Sequence, residues 1–209
     1  MRQGWVKVGF HRGIWIPCPP AFPAGMDTES WAAGYARTWW ESSGKKHGKR
    51  EVRLLAQNLA AIHANTYGVL PCHLALIHLP DPGQPPLLVC FGIWPALGER
   101  DSQLRMLAHA DEAAAMQPPI VTEFSTENLG PGLKVLYYQL AEDGSTVIGC
   151  LNYAWRSAEH ETDVRLFTSC PDLGRLQGAM PDIDELARVI TVVPRTEGGP
   201  AQPQVSVVS

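Results

Sequence analysis

Hydrophobic positions change period several times along the chain, and each change marks an element. Trp5-Val6-Lys7-Val8-Gly9-Phe10 places Val6, Val8 and Phe10 on one face, and Ile14-Trp15-Ile16 follows a turn around His11-Arg12-Gly13. This alternation predicts a hairpin over residues 5–16. Pro17, Pro19, Pro20 and Pro23 then interrupt regular structure. From Thr28 to Glu41 the period becomes helical. Trp31, Tyr35 and Trp39 recur every fourth residue as one aromatic stripe, with Asp27 or Thr28 as the cap and Ser42-Ser43-Gly44 as the stop. A second helix is expected over Arg50–Thr66. Its inward face is Val52, Leu55, Leu59 and Ile62, and Gly68 closes it.

Two strands follow, Cys72–Leu79 and Leu87–Trp94, joined by Pro80-Asp81-Pro82-Gly83. Leu74 and Leu76 point one way and Ala75, Ile77 and Leu79 the other. Leu87, Val89, Phe91 and Ile93 alternate with Leu88 and Cys90. A hairpin apolar on both faces calls for cover on both. Asp101–Met116 reads as a helix with Leu104 and Leu107 inward, stopped by Pro118-Pro119. Strands are then expected at 120–124, 133–140, 146–155 and 162–167, with Asp143-Gly144 as a tight hairpin turn. Pro171 and Pro181 frame a loop, and Asp182–Ile190 reads as a closing helix. Residues 1–194 form one expected domain, and the Gly/Pro/Gln/Ser-rich stretch 195–209 a flexible tail.

Helices and strands come in runs and not in βαβ alternation, which predicts an α+β domain. Its mainly antiparallel sheet would carry helices on both faces, as a three-layer sandwich. The double-faced hairpin Leu74–Trp94, the meander Leu133–Phe167 and the helix Ile183–Ile190 resemble, in their order, the PsbP-like α/β/α sandwich. That resemblance implies accessory, assembly or interaction roles over enzymatic ones, and it implies no site residues.

The chain has 209 residues, 45% hydrophobic and 18% charged, with seven Trp. That length can bury a core without disulfides or metals. A formal charge of −4 argues against a general nucleic-acid binder, which needs a basic face. No run approaches the roughly 18 apolar residues of a membrane span. Lys7 interrupts the apolar start, and no small-residue cleavage site follows, so no signal peptide is expected. The five cysteines, Cys18, Cys72, Cys90, Cys150 and Cys170, are widely spaced without a Cys-x-x-Cys pair. They read as reduced thiols of a cytoplasmic protein.

Motifs for chemistry are sparse. Gly44-Lys45-Lys46 ends like a phosphate-binding loop, but Trp39 stands at the required upstream glycine and Lys46 at the magnesium-binding hydroxyl. Gly130-Pro131-Gly132 lacks the strand-before-helix setting of a dinucleotide site, and no Gly-x-Ser-x-Gly elbow occurs. Lys45, Lys46, Lys49 and Arg50, with Arg53 beyond, form a basic cluster where anions or nucleic acid would bind. Cations at a helix start oppose the macrodipole. The ordinary reading is a solvated helix edge. Cys72 on a strand would need a histidine from elsewhere, such as His63 or His109, to act as a nucleophile. His78 lies six residues along, roughly 20 Å away. His63, His73 and His78 lack a metal-binding spacing, and Glu123, Glu127, Asp111 and Glu112 read as surface carboxylates. Neither a cofactor nor a metal is expected.

Aromatic crowding in the first forty residues is the most unusual feature. Trp31 and Trp39 read as core, and Trp40, about 100° around the helix, as exposed. Trp5, Trp15, Phe22 and Trp40 are the candidate contact residues of a protein interface or self-association surface, because exposed aromatics beside prolines suit interfaces. The expected function is a non-enzymatic interaction or assembly protein. The alternative is a small-molecule binder or an enzyme with a pocket between sheet and helices, using Cys72, His73 or His109.

Overall fold

The computed structural model describes residues 4–194 and 204–208. Among these the chain is α+β, with four helices and ten strands in a mainly antiparallel arrangement. The strands are β1 Gly4–His11, β2 Trp15–Cys18, β3 Leu74–His78, β4 Leu87–Pro95, β5 Ile120–Glu123, β6 Gly132–Leu140, β7 Val147–Ser157, β8 Thr162–Cys170, β9 Ile190–Pro194 and β10 Gln204–Val208. The helices are α1 Thr28–Ser42, α2 Lys49–Thr66, α3 Arg100–Ala108 and α4 Leu173–Arg188. A seven-stranded antiparallel sheet runs β2-β3-β4-β8-β7-β6-β5, and a smaller sheet runs β10-β1-β9.

The expected hairpin over residues 5–16 splits between the two sheets. β1 pairs with β9 and β10, while β2 pairs with β3 through Trp15↔His78, Ile16↔Ile77 and Cys18↔Ala75. The turn itself survives, as the Ile14 N–H donates to the His11 carbonyl at 3.2 Å. Distant pairing prevails because β3, buried along its whole length, would otherwise bury an unpaired row of backbone groups. Of the expected tail, Arg195–Pro203 and Ser209 lie outside the described residues, and Gln204–Val208 forms β10.

Two helices depart from the sequence pattern. α3 stops at Ala108 because His109 turns left-handed (φ 58°) and its N–H closes on Arg105 and Met106. Beyond the turns that follow, Ala115 bridges Gln139 and the Met116 N–H donates to Tyr138 O at 2.8 Å. α4 begins at Leu173, capped by the Asp172 carboxylate on the Arg175 N–H, and runs through Pro181. An interior proline costs about 3 kcal/mol. Leu176, Ala179, Ile183, Leu186 and Ala187 are buried on this helix, and three large apolar side chains at roughly 1.5–3 kcal/mol each outweigh it. Ile190, expected at the end of that helix, opens β9 instead.

The apolar alternation of the central hairpin sorts the core. Leu74, Leu76, Val89, Phe91 and Ile93 cluster with Leu151, Tyr153, Trp155 and the α4 residues Leu176 and Ile183. Ala75, Ile77, Leu79 and Cys90 cluster with Trp31, Trp39 and Trp40 of α1 and Leu55 and Leu59 of α2. A third cluster joins Leu104 and Leu107 of α3 to Val135, Tyr137, Cys150 and Ala154.

His78 is the polar exception on β3. It is 1% exposed and packs on Trp15, ring centroids 4.8 Å apart. Its Nδ1 accepts from the Arg175 guanidinium at 2.8 Å, so the proton sits on Nε2, which donates to Asp182 at 2.7 Å. The ring is therefore neutral. Burial pulls its pKa below the ordinary value, Asp182 pulls it back up, and Arg175 lowers it further. A depressed folded-state pKa stabilises the fold above the ordinary imidazole value of about 6.5 and loses that contribution as pH falls through the folded value. The melting temperature of the wild type should therefore fall from pH 7.5 to 5 more steeply than that of His78→Gln. At pH 7.5, His78→Ala should cost about 2 kcal/mol, because Arg175 and Asp182 lose their shared partner. Parallel melting curves across that range would remove this account of His78.

Candidate functional site

The proline-rich segment between β2 and α1 is fixed from behind by α2. The Tyr67 hydroxyl donates to Cys18 O at 2.5 Å, and His63 Nε2 donates to Pro19 O at 3.0 Å. His63 Nδ1 is then the acceptor for the Thr28 hydroxyl at 3.2 Å. Phe22 packs on His63 at 4.8 Å and on Trp31 at 6.0 Å, and Trp31 on Tyr35 at 5.7 Å. Proline fixes its own backbone, and these contacts fix the rest.

In front of this wall lies an open groove of about 590 Å³. Pro17, Pro19, Phe22, Pro23 and Met26 form one side, and Ser30, Trp31, Gly34, Tyr35 and Thr38 of α1 the other. Its polar groups are the hydroxyls of Ser30, Tyr35 and Thr38. Burial raises the Tyr35 pKa, while Arg12 lowers it, which keeps the phenol a neutral donor. The α1 side follows helical spacing, so the lining stripe from Ser30 to Thr38 is about 12 Å long at 1.5 Å per residue.

Gly34 sits in the interior of α1, where glycine costs about 0.5–1 kcal/mol relative to alanine. Neither backbone nor packing demands it. It has no positive φ, and a Cβ built there meets nothing within 4 Å. The glycine leaves that stretch of the α1 side without a side chain.

Of the candidate contact residues, Phe22 lines the groove. Trp5 is half-buried on β1 opposite Val193. Trp15 and Trp40, expected at a surface, are buried. Trp15 covers His78. Trp40 lies under His47, their rings stacked at 5.5 Å, and its indole N–H has no partner among the described residues. Adjacent tryptophans both fit inside because the sheet and the 43–48 loop close over a wide arc of α1. Trp39 anchors that helix by donating to Leu79 O at 2.7 Å.

The basic cluster is divided. Lys45 pairs with Asp81 at 2.5 Å, and Lys46 and Arg50 are exposed. Lys49 and Arg53 instead meet Arg37, Glu41 and His47 along a shallow groove between α1 and α2. The Glu51 carboxylate occupies the start of α2, accepting the Gly48 N–H at 2.9 Å.

Cys72, His73 and His109 each have a local partner. His73 Nδ1 accepts the Ile93 N–H at 3.2 Å, and His109 bonds Glu112 at 2.7 Å. Cys72 Sγ donates to Leu74 O at 3.0 Å, and among the described residues no histidine hydrogen-bonds to it. Its thiol neighbour is Cys90, a contact that lowers the Cys72 pKa against burial and, with burial, raises that of Cys90. Burial pushes Cys18 up to about 12. Asp111 pairs with Arg105. Among the described residues, no group of three or more His, Cys, Asp or Glu side chains is placed to hold a metal ion, and no helix is long and apolar enough to cross a membrane.

Sequence reasoning missed Gly34, Tyr35 and the prolines as one lining. A glycine inside an aromatic helical stripe was the available signal. No protein-family model matches the chain, and no curated protein matches it.

Of the five thiols, only that of Cys72 is half-exposed, and the other four are buried. In the folded protein, iodoacetamide should label Cys72 first, and at a lower pH than an ordinary cysteine requires. Mass mapping of the early adducts checks this. Faster labelling at Cys18, Cys90, Cys150 or Cys170 would contradict it.

Proposed function

We propose that this protein is a non-enzymatic interaction protein whose contact surface is the groove between Pro17–Met26 and α1, and whose occupant is an extended, proline-containing segment of a partner protein. The observation that carries the proposal is Gly34. A residue that weakens its own helix and serves no packing need keeps a groove clear.

The chemistry of the walls suits this occupant. Aromatic faces and proline rings bind polyproline-type segments well, because such ligands are pre-ordered and lose little entropy. About four residues at roughly 3.1 Å each span the α1 side. A specific small-molecule site brings several placed polar groups to bear on one ligand. Here the polar groups are three hydroxyls at the margin of an apolar trough. Phe22, Trp31 and Tyr35 are the residues expected to carry the affinity.

The wider architecture belongs to the same reading. The separate clustering of α4 with Leu74 and Leu76, and of α1 and α2 with Ala75, Ile77 and Leu79, supports a three-layer sandwich. That arrangement in turn supports the resemblance to PsbP-like interaction proteins and a single domain over residues 1–194, and the five free thiols support a cytoplasmic setting.

Titration of Trp fluorescence with a ten-residue polyproline peptide, alongside melting curves, tests the groove. Gly34→Ala should raise stability by about 1 kcal/mol, or roughly 2–4 °C in melting temperature. Gly34→Leu, whose side chain enters open space, should keep the fold and abolish binding, and Phe22→Ala should weaken binding at least tenfold. Wild-type affinity in Gly34→Leu would overturn the proposal.

A further inference from the structure

We propose that Arg165, at the centre of the large sheet, anchors a second binding site, for a small molecule bearing an oxyanion such as a carboxylate or a phosphate. Arg165 lies on β8 with the half-buried Phe167 beneath it, guanidinium carbon to ring centroid 4.4 Å. Its Nε and one Nη both donate to a single acceptor, Asn152 Oδ1, at 3.1 and 2.6 Å. Among the described residues no carboxylate lies within ion-pair distance of it.

The half-buried cations Lys134, Arg156 and Arg175 differ from it in this. Arg156, on the neighbouring β7, is bidentate on Asp163 at 2.7 and 2.9 Å. Lys134 holds both oxygens of Asp184 at 2.7 and 2.8 Å. Arg175 feels both Asp172 and Asp182. The groups that act on Arg165 are Tyr137, Cys150 and Cys90, and burial pulls its pKa below the ordinary value. A desolvated guanidinium without an anion is costly, and a bidentate oxyanion is the partner its fork fits best.

Its polar neighbours are a phenol and a thiol that hydrogen-bond each other and feel the Glu112 carboxylate. Tyr137 and Cys150 stand opposite each other on β6 and β7. Burial raises the pKa of both, so they remain O–H and S–H. Asn152 is 2% exposed and turns its oxygen to Arg165. Arg165 is half-exposed and is flanked across the sheet by Gly92 on β4 and Ala154 on β7. Gly92 is obligatory, since a Cβ there would lie 2.0 Å from the Trp94 ring. The site falls at the seam between the cluster of α1 and α2, which holds Cys90 and Phe167, and that of α3, which holds Tyr137 and Cys150. It is separate from the groove and does not depend on it.

The test is thermal unfolding and calorimetry at constant ionic strength, with sodium phosphate or sodium acetate replacing sodium chloride. The wild type should show a saturable rise in melting temperature with at least one of the two oxyanions. A response to phosphate alone assigns a phosphate-bearing ligand, and one to acetate alone a carboxylate. Arg165→Met should lose the response without losing stability, because the uncompensated charge leaves with the fork. Arg165→Lys should weaken it at least tenfold. Asn152→Asp supplies the missing carboxylate in place, so it should melt higher in chloride and ignore both oxyanions. Equal melting in all three salts, or an undiminished response in Asn152→Asp, would overturn the site and leave Arg165 a purely structural cation.

Discussion

Every side chain of β3 is sealed from water, and much of the remaining structure follows from that. A strand buried on both faces and both edges has to find a partner for each backbone group and an apolar neighbour for each side chain. β4 satisfies one edge and β2 the other. That demand draws Trp15–Cys18 away from its neighbour in sequence. The one polar side chain, His78, draws in Arg175 and Asp182 and so ties α4 down. The carbonyl of Leu79, just past the strand, is met by the Trp39 indole of α1. Pro17 and Pro19 are then set opposite α1 because β2 has docked on β3. The groove is a consequence of how the edge of the sheet is closed.

This dependence explains which parts of the fold could be read in advance. The double alternation of Leu74–Trp94 is a local signal with one physical meaning, and it specified a buried hairpin correctly. The Trp31-Tyr35-Trp39 stripe likewise follows from helical period alone. What misled was competition between local and distant partners. Residues 5–16 have hairpin periodicity and a real turn, yet each half pairs elsewhere. Pro181 is a local stop signal overridden by a buried stripe on both sides of it. Trp40 appeared external because periodicity gives an angle and not the width of what lies opposite.

The groove was half legible for the same reason. Prolines and aromatics near each other in sequence announced a special segment, and Phe22 was among the residues they singled out. Gly34 was not, since a glycine in a helix has many innocent explanations until the space around its missing Cβ is known. Arg165 was invisible to pattern reading. Its neighbours come from three other strands, and nothing local to β8 shows that no carboxylate awaits it.

The two sites differ in what they ask of the fold. The groove asks for open, rigid, apolar walls, and it is built where the chain is stiffened by proline and where one helix gives up a fraction of a kcal/mol at Gly34. Arg165 asks for the reverse, a charge held in place by Asn152 with part of its fork unspent. Such a charge costs stability in the empty protein and returns it on binding, because a ligand stabilises in proportion to its preference for the folded state. Its position between two separately packed clusters matters here. An anion bound at that seam would touch residues of both, through Phe167 on one side and Tyr137 on the other, so its binding energy would be shared between α1–α2 and α3.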